Sequence, residues 1–287
     1  MQIGTYALEE GLKLIKSKNP LIYCISNLVA ITEVAKGISA YNGIPIISNC
    51  LDKIEEKAFE NQCILLNIDN LDTEKLDVME KYLRMTYKKR IPVVLDMMGI
   101  NNSFFQKEVV LRFIKRYNIN VLKGSLKEFK TLFNEEDKEE LFNEEDKEEL
   151  FNEEDKSKKD LDFRIKLRDF SRKNNVIIVL EKNYYYVTDG FSEFYIDSKE
   201  RIGDRIDIDR SILSGLIAVG IGASTSKEQI FKSVLLAAMT MAISEGLVQN
   251  NTFKNEYKKE SLIEEIEKIN VEKLNKLSKI DYLFVRK

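Results

Sequence analysis

Short apolar runs alternate along this chain with stretches whose apolar positions recur at helical spacing. "PLIYCIS", "IPIIS", "CILLNI", "PVVLDM", "INVLKG" and "VIIVLE" have the length and β-branched content of buried strands. Between them, "VAITEVAKGISAYN", "TEKLDVMEKYLRMTYKK", "FQKEVVLRFIKRY" and "DLDFRIKLRDFSRK" read as amphipathic helices. Strand and helix in alternation predict an α/β fold, a layered arrangement in which helices flank a mostly parallel central sheet. "YYYVTDGFSEFYID" departs from the pattern and predicts a hairpin turning at Asp189 and Gly190. The chain then becomes helical, from Ser211 to about Ala223 and again after "STSKEQ", where Thr225 with Glu228 or Ser226 with Gln229 forms a capping box. The Ala and Gly content of these two helices points to close packing. "ESLIEEIEKINVEKLNKL" predicts one amphipathic surface helix near the end.

One segment breaks the alternation. "LFNEEDKEE" at 132–140 recurs unchanged at 141–149 and partially at 150–156. So short an identical repeat is the mark of tandem duplication, since folded repeat architectures have periods of about 20 residues or more. Its acidity reads as a solvated insertion at 132–156 in a single domain spanning 1–287. Because the whole chain has a net charge of only −3, the body outside the repeat is mildly basic, which suits an anionic ligand. The start lacks a signal peptide's apolar centre, and no apolar run reaches the roughly 18 residues of a membrane span, so a cytoplasmic location without membrane or nucleic-acid partners is expected. Cys24, Cys50 and Cys63 show no C-x-x-C spacing and read as reduced core residues.

The chain contains no histidine. That removes Ser-His-Asp and Cys-His activation and most catalytic zinc sites. Magnesium held by Asp or Glu, with substrate phosphates as further ligands, fits the remaining side chains best, which raises phosphoryl transfer in the ranking. Ligands of open α/β sheets bind beyond the carboxyl ends of the strands. The polar residues at those ends are Ser26 and Asn27, Asn67 and Asp69, Asp96, Lys123 with Ser125 and Glu128, Glu181, and the turn before Ser211. Asp96 and Glu128 together can anchor a magnesium ion through its water shell, and Lys123 can meet a nucleotide phosphate as a point charge. Each also has an ordinary reading as a strand-terminal, helix-surface or snorkelling charge. The charged residues Asp207, Asp209 and Arg210 precede an apolar helix whose free N–H groups can hold an anion, or can be capped by Asp209 or Ser211. No G-x-x-x-x-G-K-[ST] or G-x-G-x-x-G is present.

The order of these residues resembles the hydroxyethylthiazole kinases of thiamine salvage, a family with a ribokinase-like fold. "NPLIYCISNLVAITEVAKGISAYNGIPIIS" is similar to the family's S-P-L-V-H-x-I-T-N opening and its later G-A-x-P-x-M. "CILLNIDNLD" resembles L-V-L-N-I-G-T-L, "RIPVVLDMMGINNSFF" resembles V-P-V-I-L-D-P-V-G-x-G-A-T, and "INVLKGSLKEFKTL" resembles the I-R-G-N-x-x-E-I segment. Pro20, Pro45 and Pro92, all the prolines of the chain, fall at matching places. The resemblance implies phosphorylation of the hydroxyl of 4-methyl-5-(2-hydroxyethyl)thiazole by magnesium-bound ATP, in a homotrimer with the thiazole pocket between subunits. By position it puts Lys123 where the family contacts ATP, Asp96 and Glu128 at the metal-linked acids, and Ile47 at a substrate-contacting Met. Asn27 and Ile208 are likewise expected on the substrate side.

The chain departs from the family at the phosphate-binding turn. T-G-A-G-C becomes Asp207, Ile208, Asp209, Arg210 and Ser211, so both glycines that let backbone N–H groups approach a phosphate are gone. Ser211 replaces the Cys, the ATP-contacting Thr-Gly becomes Glu181-Lys182, Asn becomes Ser125, His becomes Tyr23, and G-P-G-S-F becomes 258–262. In this setting Asp209 is the candidate proton acceptor and Arg210 the group that offsets charge on the transferred phosphoryl. Two readings stand beside the kinase: a catalytically impaired protein of the same fold that binds small molecules or assembles, and a kinase of another small alcohol.

Overall fold

The structure is a computed structural model and describes residues 5–27, 30–47, 62–134, 158–197, 207–251 and 259–283. Helix α1 (Thr5–Lys18) leads into β1 (Leu21–Ile25), α2 (Ala30–Ala40) and β2 (Ile44–Ile47). Then follow β3 (Cys63–Asn67), α3 (Thr73–Lys89), β4 (Val93–Asp96), α4 (Phe104–Arg116), β5 (Val121–Ser125) and α5 (Leu126–Leu132). After the acidic segment come α6 (Lys158–Asn174), β6 (Ile177–Glu181), β7 (Tyr184–Thr188) and β8 (Glu193–Asp197). The chain closes with α7 (Asp207–Ala223), α8 (Lys227–Asn251), α9 (Lys259–Glu267), α10 (Val271–Leu277) and β9 (Lys279–Leu283).

The strands form one sheet in the order β2-β1-β3-β4-β5-β6-β7-β8-β9. β2 through β6 in that order are parallel, and β7, β8 and β9 are antiparallel. The predicted α/β architecture is therefore present, hairpin included. Every residue of β3, β4 and β6 is buried, which is why these runs lack polar alternation: helices cover both faces. Alternate residues divide between two cores. Ile22, Cys24, Leu65, Val94, Val121 and Val179 face α2, α7 and α8, whereas Tyr23, Ile25, Leu66, Leu95, Leu122 and Ile178 face α3, α4 and α6. Full burial of a Leu or Ile side chain is worth about 1.5–3 kcal/mol, so the two cores carry the fold.

Close approach explains the small residues of α7. A methyl at Gly215 would lie 3.2 Å from the Val34 carbonyl oxygen, and one at Gly37 would lie 2.8 Å from Ile212, so α2 and α7 cross nearly backbone to backbone. Helix α8 is long and apolar enough over Lys227–Val248 to cross a membrane, but 72% of that window is buried inside the protein. It packs on α7, β7 and β8 as a core helix.

Several elements differ from expectation. The terminal amphipathic stretch is two helices, because Asn270 caps a new start by accepting from the Lys273 N–H at 2.9 Å. Helix α7 begins at Asp207, a turn earlier than Ser211, so the charged residues are its first turn. Strand β9 and helix α1 are additions to the expected elements: α1 buries Leu8, Leu12 and Ile15 at helical spacing against α7 and α8, and β9 pairs with β8. At the start of α8, Ser226 Oγ accepts from the Gln229 N–H at 3.2 Å, while Gln229 Oε1 reaches back to the Thr225 N–H at 2.9 Å. Leu132 and Phe133, which open the first repeat copy, belong to the folded body: Leu132 is buried, and the Phe133 ring centroid lies 5.3 Å from that of Phe170. The remaining repeat residues, 135–156, and Cys50 lie outside the described residues.

Candidate active site

Parallel strands end together, so the register alone decides which polar side chains share an edge. Asn67 pairs with Asp96, and Asp96 with Lys123. All three alternate onto the α7 face, as does Glu181 two residues beyond Val179 on β6. The start of α7 lies over this row and completes it with Arg210, Ser211 and Ser214.

Lys123 is fully buried and held between two carboxylates, 3.1 Å from Asp96 Oδ2 and 3.3 Å from Glu181 Oε2. Its ammonium also donates to the Arg210 carbonyl oxygen at 2.7 Å, tying the sheet to the first turn of α7. Arg210 closes the other side, 2.8 Å from Glu128 Oε2 and 3.6 Å from Glu181 Oε2. Burial lowers the pKa of the Arg210 guanidinium, but the carboxylates of Glu181, Glu128 and Asp96 outweigh it and hold that pKa above its ordinary value. Arg210 is therefore a permanent cation.

The two predicted metal-linked acids are well supplied with donors. Asp96 accepts from Ser214 Oγ at 2.6 Å, from Lys123, and from the Met98 N–H at 3.1 Å. Glu128 forms a capping box with Ser125 at the start of α5, accepting the Ser125 N–H at 2.6 Å, and also takes Arg210 and the Gly99 N–H at 3.4 Å. A carboxylate offers about four lone-pair sites, so each acid keeps room for one more donor or for a water of a hydrated cation. Three carboxylates against two cations leave the cluster net negative. No group of three or more His, Cys, Asp or Glu side chains arranged to hold a metal occurs among the described residues. The donor set thus suits a hydrated magnesium ion held at one remove, with phosphates as its inner ligands.

The other predicted site residues are placed as follows. Asn27 uses both ends of its amide within the protein: Oδ1 caps α2 through the Ala30 N–H at 2.7 Å, and Nδ2 donates to Asp69 Oδ2 at 2.5 Å. Ile47 ends β2 and is half exposed at the sheet edge. Ser211 is buried, with Oγ against Met98 Sδ at 3.6 Å. The backbones of Ile208 and Asp209 lie in the first turn of α7; their side chains are outside the described residues. Tyr23 faces the opposite core and stacks on Tyr82 at 4.2 Å between centroids. Ser214 escaped the sequence reading, although "SILS" places two hydroxyls one helical turn apart in an otherwise apolar helix.

The scan against known families decides what this scaffold is: the model described as "Hydroxyethylthiazole kinase family" matches residues 12–272. The chain belongs to that family. The hydroxyethylthiazole kinase of Clostridium perfringens is 24% identical over 274 residues, covering 94% of this chain and all of that protein. That of Methanobrevibacter smithii is 24% identical over 244 residues, covering 83% and 82%. Among solved structures, the hydroxyethylthiazole kinase protein from Pyrococcus horikoshii superposes with a TM-score of 0.79 at 20% identity over 96% of this chain and 99% of that one. A pyridoxal kinase from Staphylococcus aureus gives a TM-score of 0.58 at 10% identity over 93% and 99%. At such identities the structures speak for the ribokinase-like fold. Within this scaffold the Glu181 carboxylate is set between the two cations of the site.

Proposed function

We propose that this protein is a hydroxyethylthiazole kinase, transferring the terminal phosphoryl group of ATP to the hydroxyl of 4-methyl-5-(2-hydroxyethyl)thiazole in thiamine salvage. Membership of the kinase family over residues 12–272 carries this reading. The cluster at the sheet edge supplies what phosphoryl transfer asks of a protein, positioning and compensation of charge more than covalent chemistry. Lys123 and Arg210 are the cations proposed for ATP phosphates, Arg210 partly exposed and Lys123 enclosed, and both must be released in part by their carboxylates. Asp96 and Glu128 would hold hydrated magnesium, which when bound neutralises phosphate charge. Asp209 is the proposed acceptor of the hydroxyl proton. Ser211, at the position of the family's Cys, is the third proposed catalytic residue, with its Oγ against Met98 Sδ at 3.6 Å. Ile47 and Ile208 are proposed as apolar walls for the thiazole ring, with Asn27 bracing the loops behind it.

The exposed apolar edge strand β2, with Ile44 and Ile47 about half exposed, supports a homotrimer in which copies cover one another's edges. A cytoplasmic protein of one domain, with the acidic repeat as an insertion, fits the same reading. Light scattering checks the trimer.

One observation favours the impaired alternative: Glu181 occupies both cations that a triphosphate needs. Incubation of purified protein with ATP, magnesium and the thiazole alcohol, followed by mass spectrometry, separates the two. Phosphorylated product establishes the kinase, and Asp209→Asn then lowers turnover far more than Ser211→Ala. Binding of the alcohol without product establishes the impaired form.

A further inference from the structure

Strand order reverses between β1 and β3. β1 continues to β2 on one side while β3 lies on the other, and the helices that follow diverge, α2 onto the α7 face and α3 onto the opposite face. The crevice at such a reversal is where open α/β sheets take ligands. Ser26 and Asn67 flank it. The register Ile25 with Leu66 makes them neighbours on the next rung, and alternation turns both toward α7, the side of Cys24 and Leu65.

Both residues are buried, at 4% and 2% exposure, yet Ser26 Oγ and Asn67 Nδ2 have no hydrogen-bond partner in the protein. Native proteins pair nearly all buried polar atoms, so two orphans side by side call for a cause. The orientation of the Asn67 amide is fixed, because its Oδ1 accepts the Asp69 N–H at 2.8 Å and so turns Nδ2 away from that loop. The loops on either side are tied together by Asn27 Nδ2 donating to Asp69 Oδ2 at 2.5 Å.

We propose that Ser26 Oγ and Asn67 Nδ2 form a polar subsite that grips the hydroxyl end of the alcohol substrate, with Asn67 donating to its oxygen. Asn67 is one strand away from Asp96, about 4.8 Å in the hydrogen-bonding direction. A hydroxyl held there therefore lies beside the charged cluster. The two orphans select for the alcohol group and position it, while the apolar walls take the ring. This inference rests on the kinase reading, which names the alcohol.

Calorimetry without nucleotide, on wild type, Ser26→Ala and Asn67→Asp, tests the subsite using 4-methyl-5-(2-hydroxyethyl)thiazole and its 5-ethyl counterpart, which lacks the hydroxyl. Asn67→Asp keeps the acceptor for the Asp69 N–H but exchanges the donor for a carboxylate oxygen, so it also adds a buried negative charge. Wild type is expected to prefer the alcohol by about tenfold, the worth of one or two hydrogen bonds. Ser26→Ala weakens alcohol binding by about fivefold, leaves the ethyl compound unchanged and does not lower the melting temperature, since no protein bond is lost. Unchanged alcohol preference in both variants overturns the proposal, as does a Ser26→Ala protein that melts earlier but binds as wild type, the mark of a purely structural role. A wild type that prefers the alcohol but yields no phosphorylated product leaves the subsite standing and ends the kinase reading. One that binds neither compound ends both.

Discussion

The two halves of one sheet edge, set side by side, are opposites. From Asp96 to Glu181 every charged group has a partner of the other sign, and Lys123 is wholly enclosed. Across β1 and β3, one strand away, Ser26 and Asn67 are neutral and buried, and Ser26 Oγ and Asn67 Nδ2 have no partner in the protein. The same backbone geometry produces both. The difference shows that a strand end becomes self-sufficient when opposite charges fall in register, and receptive when only neutral polar groups do. On the proposed roles of these residues, a phosphate competes with Glu181 for its cations, whereas a substrate hydroxyl meets no competitor for Asn67 Nδ2.

The largest effect should come from breaking the charged half at its centre. Lys123→Met leaves Asp96 buried without its ion-pair partner and Glu181 with only Arg210 of the site's two cations, and should cost about 3–5 kcal/mol, read from urea unfolding, with loss of activity. Next, Ser214→Ala removes the 2.6 Å bond to Asp96 and should cost about 1.5–3 kcal/mol by the same measurement. Glu181→Gln sharpens the contrast by freeing both cations from their competitor, while Asp96 still holds Lys123 and Glu128 still holds Arg210. KM for ATP should fall by about tenfold, since even a screened like charge near phosphate costs more than 1 kcal/mol. Calorimetric ATP binding checks this independently of turnover.

The smallest expected effect lies in the shared core beneath both halves. Burial pushes the Cys24 thiol from 9.0 up to about 12. Between those values the unfolded chain releases a proton that the folded protein keeps, so stability present below pH 9 declines as pH rises through this window. Unfolding free energies from urea titrations at pH 8 and pH 10 should differ by about 1.4 kcal/mol less in Cys24→Ala than in wild type. Equal differences in the two proteins would show that other groups govern the alkaline loss.

Much of this was legible in the residues. The six apolar runs read as strands because burial on both faces strips them of polar alternation, and the hairpin at Asp189 and Gly190 read from its turn residues. The candidate list at the strand ends already held Ser26, Asn67, Asp96, Lys123, Glu128 and Glu181, since a polar residue ending an apolar strand stands out. Partnership was not legible. Glu128 read as a metal-linked acid, yet it also caps α5 through Ser125, and Asn27 read as a substrate contact, yet both ends of its amide brace the protein. Ser214 was missed although "SILS" sets it one helical turn from Ser211, because a hydroxyl in a buried helix does not announce its partner; only the crossing of α7 over β4 brings it to Asp96.

By itself, the sequence determined the alternation of buried strands and helices, the small residues that let α2 and α7 meet, and which strand ends are polar, because periodicity and side-chain size act locally. Which of those polar ends would neutralise one another and which would stay open was decided only by the tertiary structure. Strand register and the placement of α7 bring Arg210 to Glu128 and Glu181 over a long separation in sequence, and no nearest-neighbour preference encodes that meeting. The reversal of strand order then leaves Ser26 and Asn67 side by side at the strand ends with donors to spare.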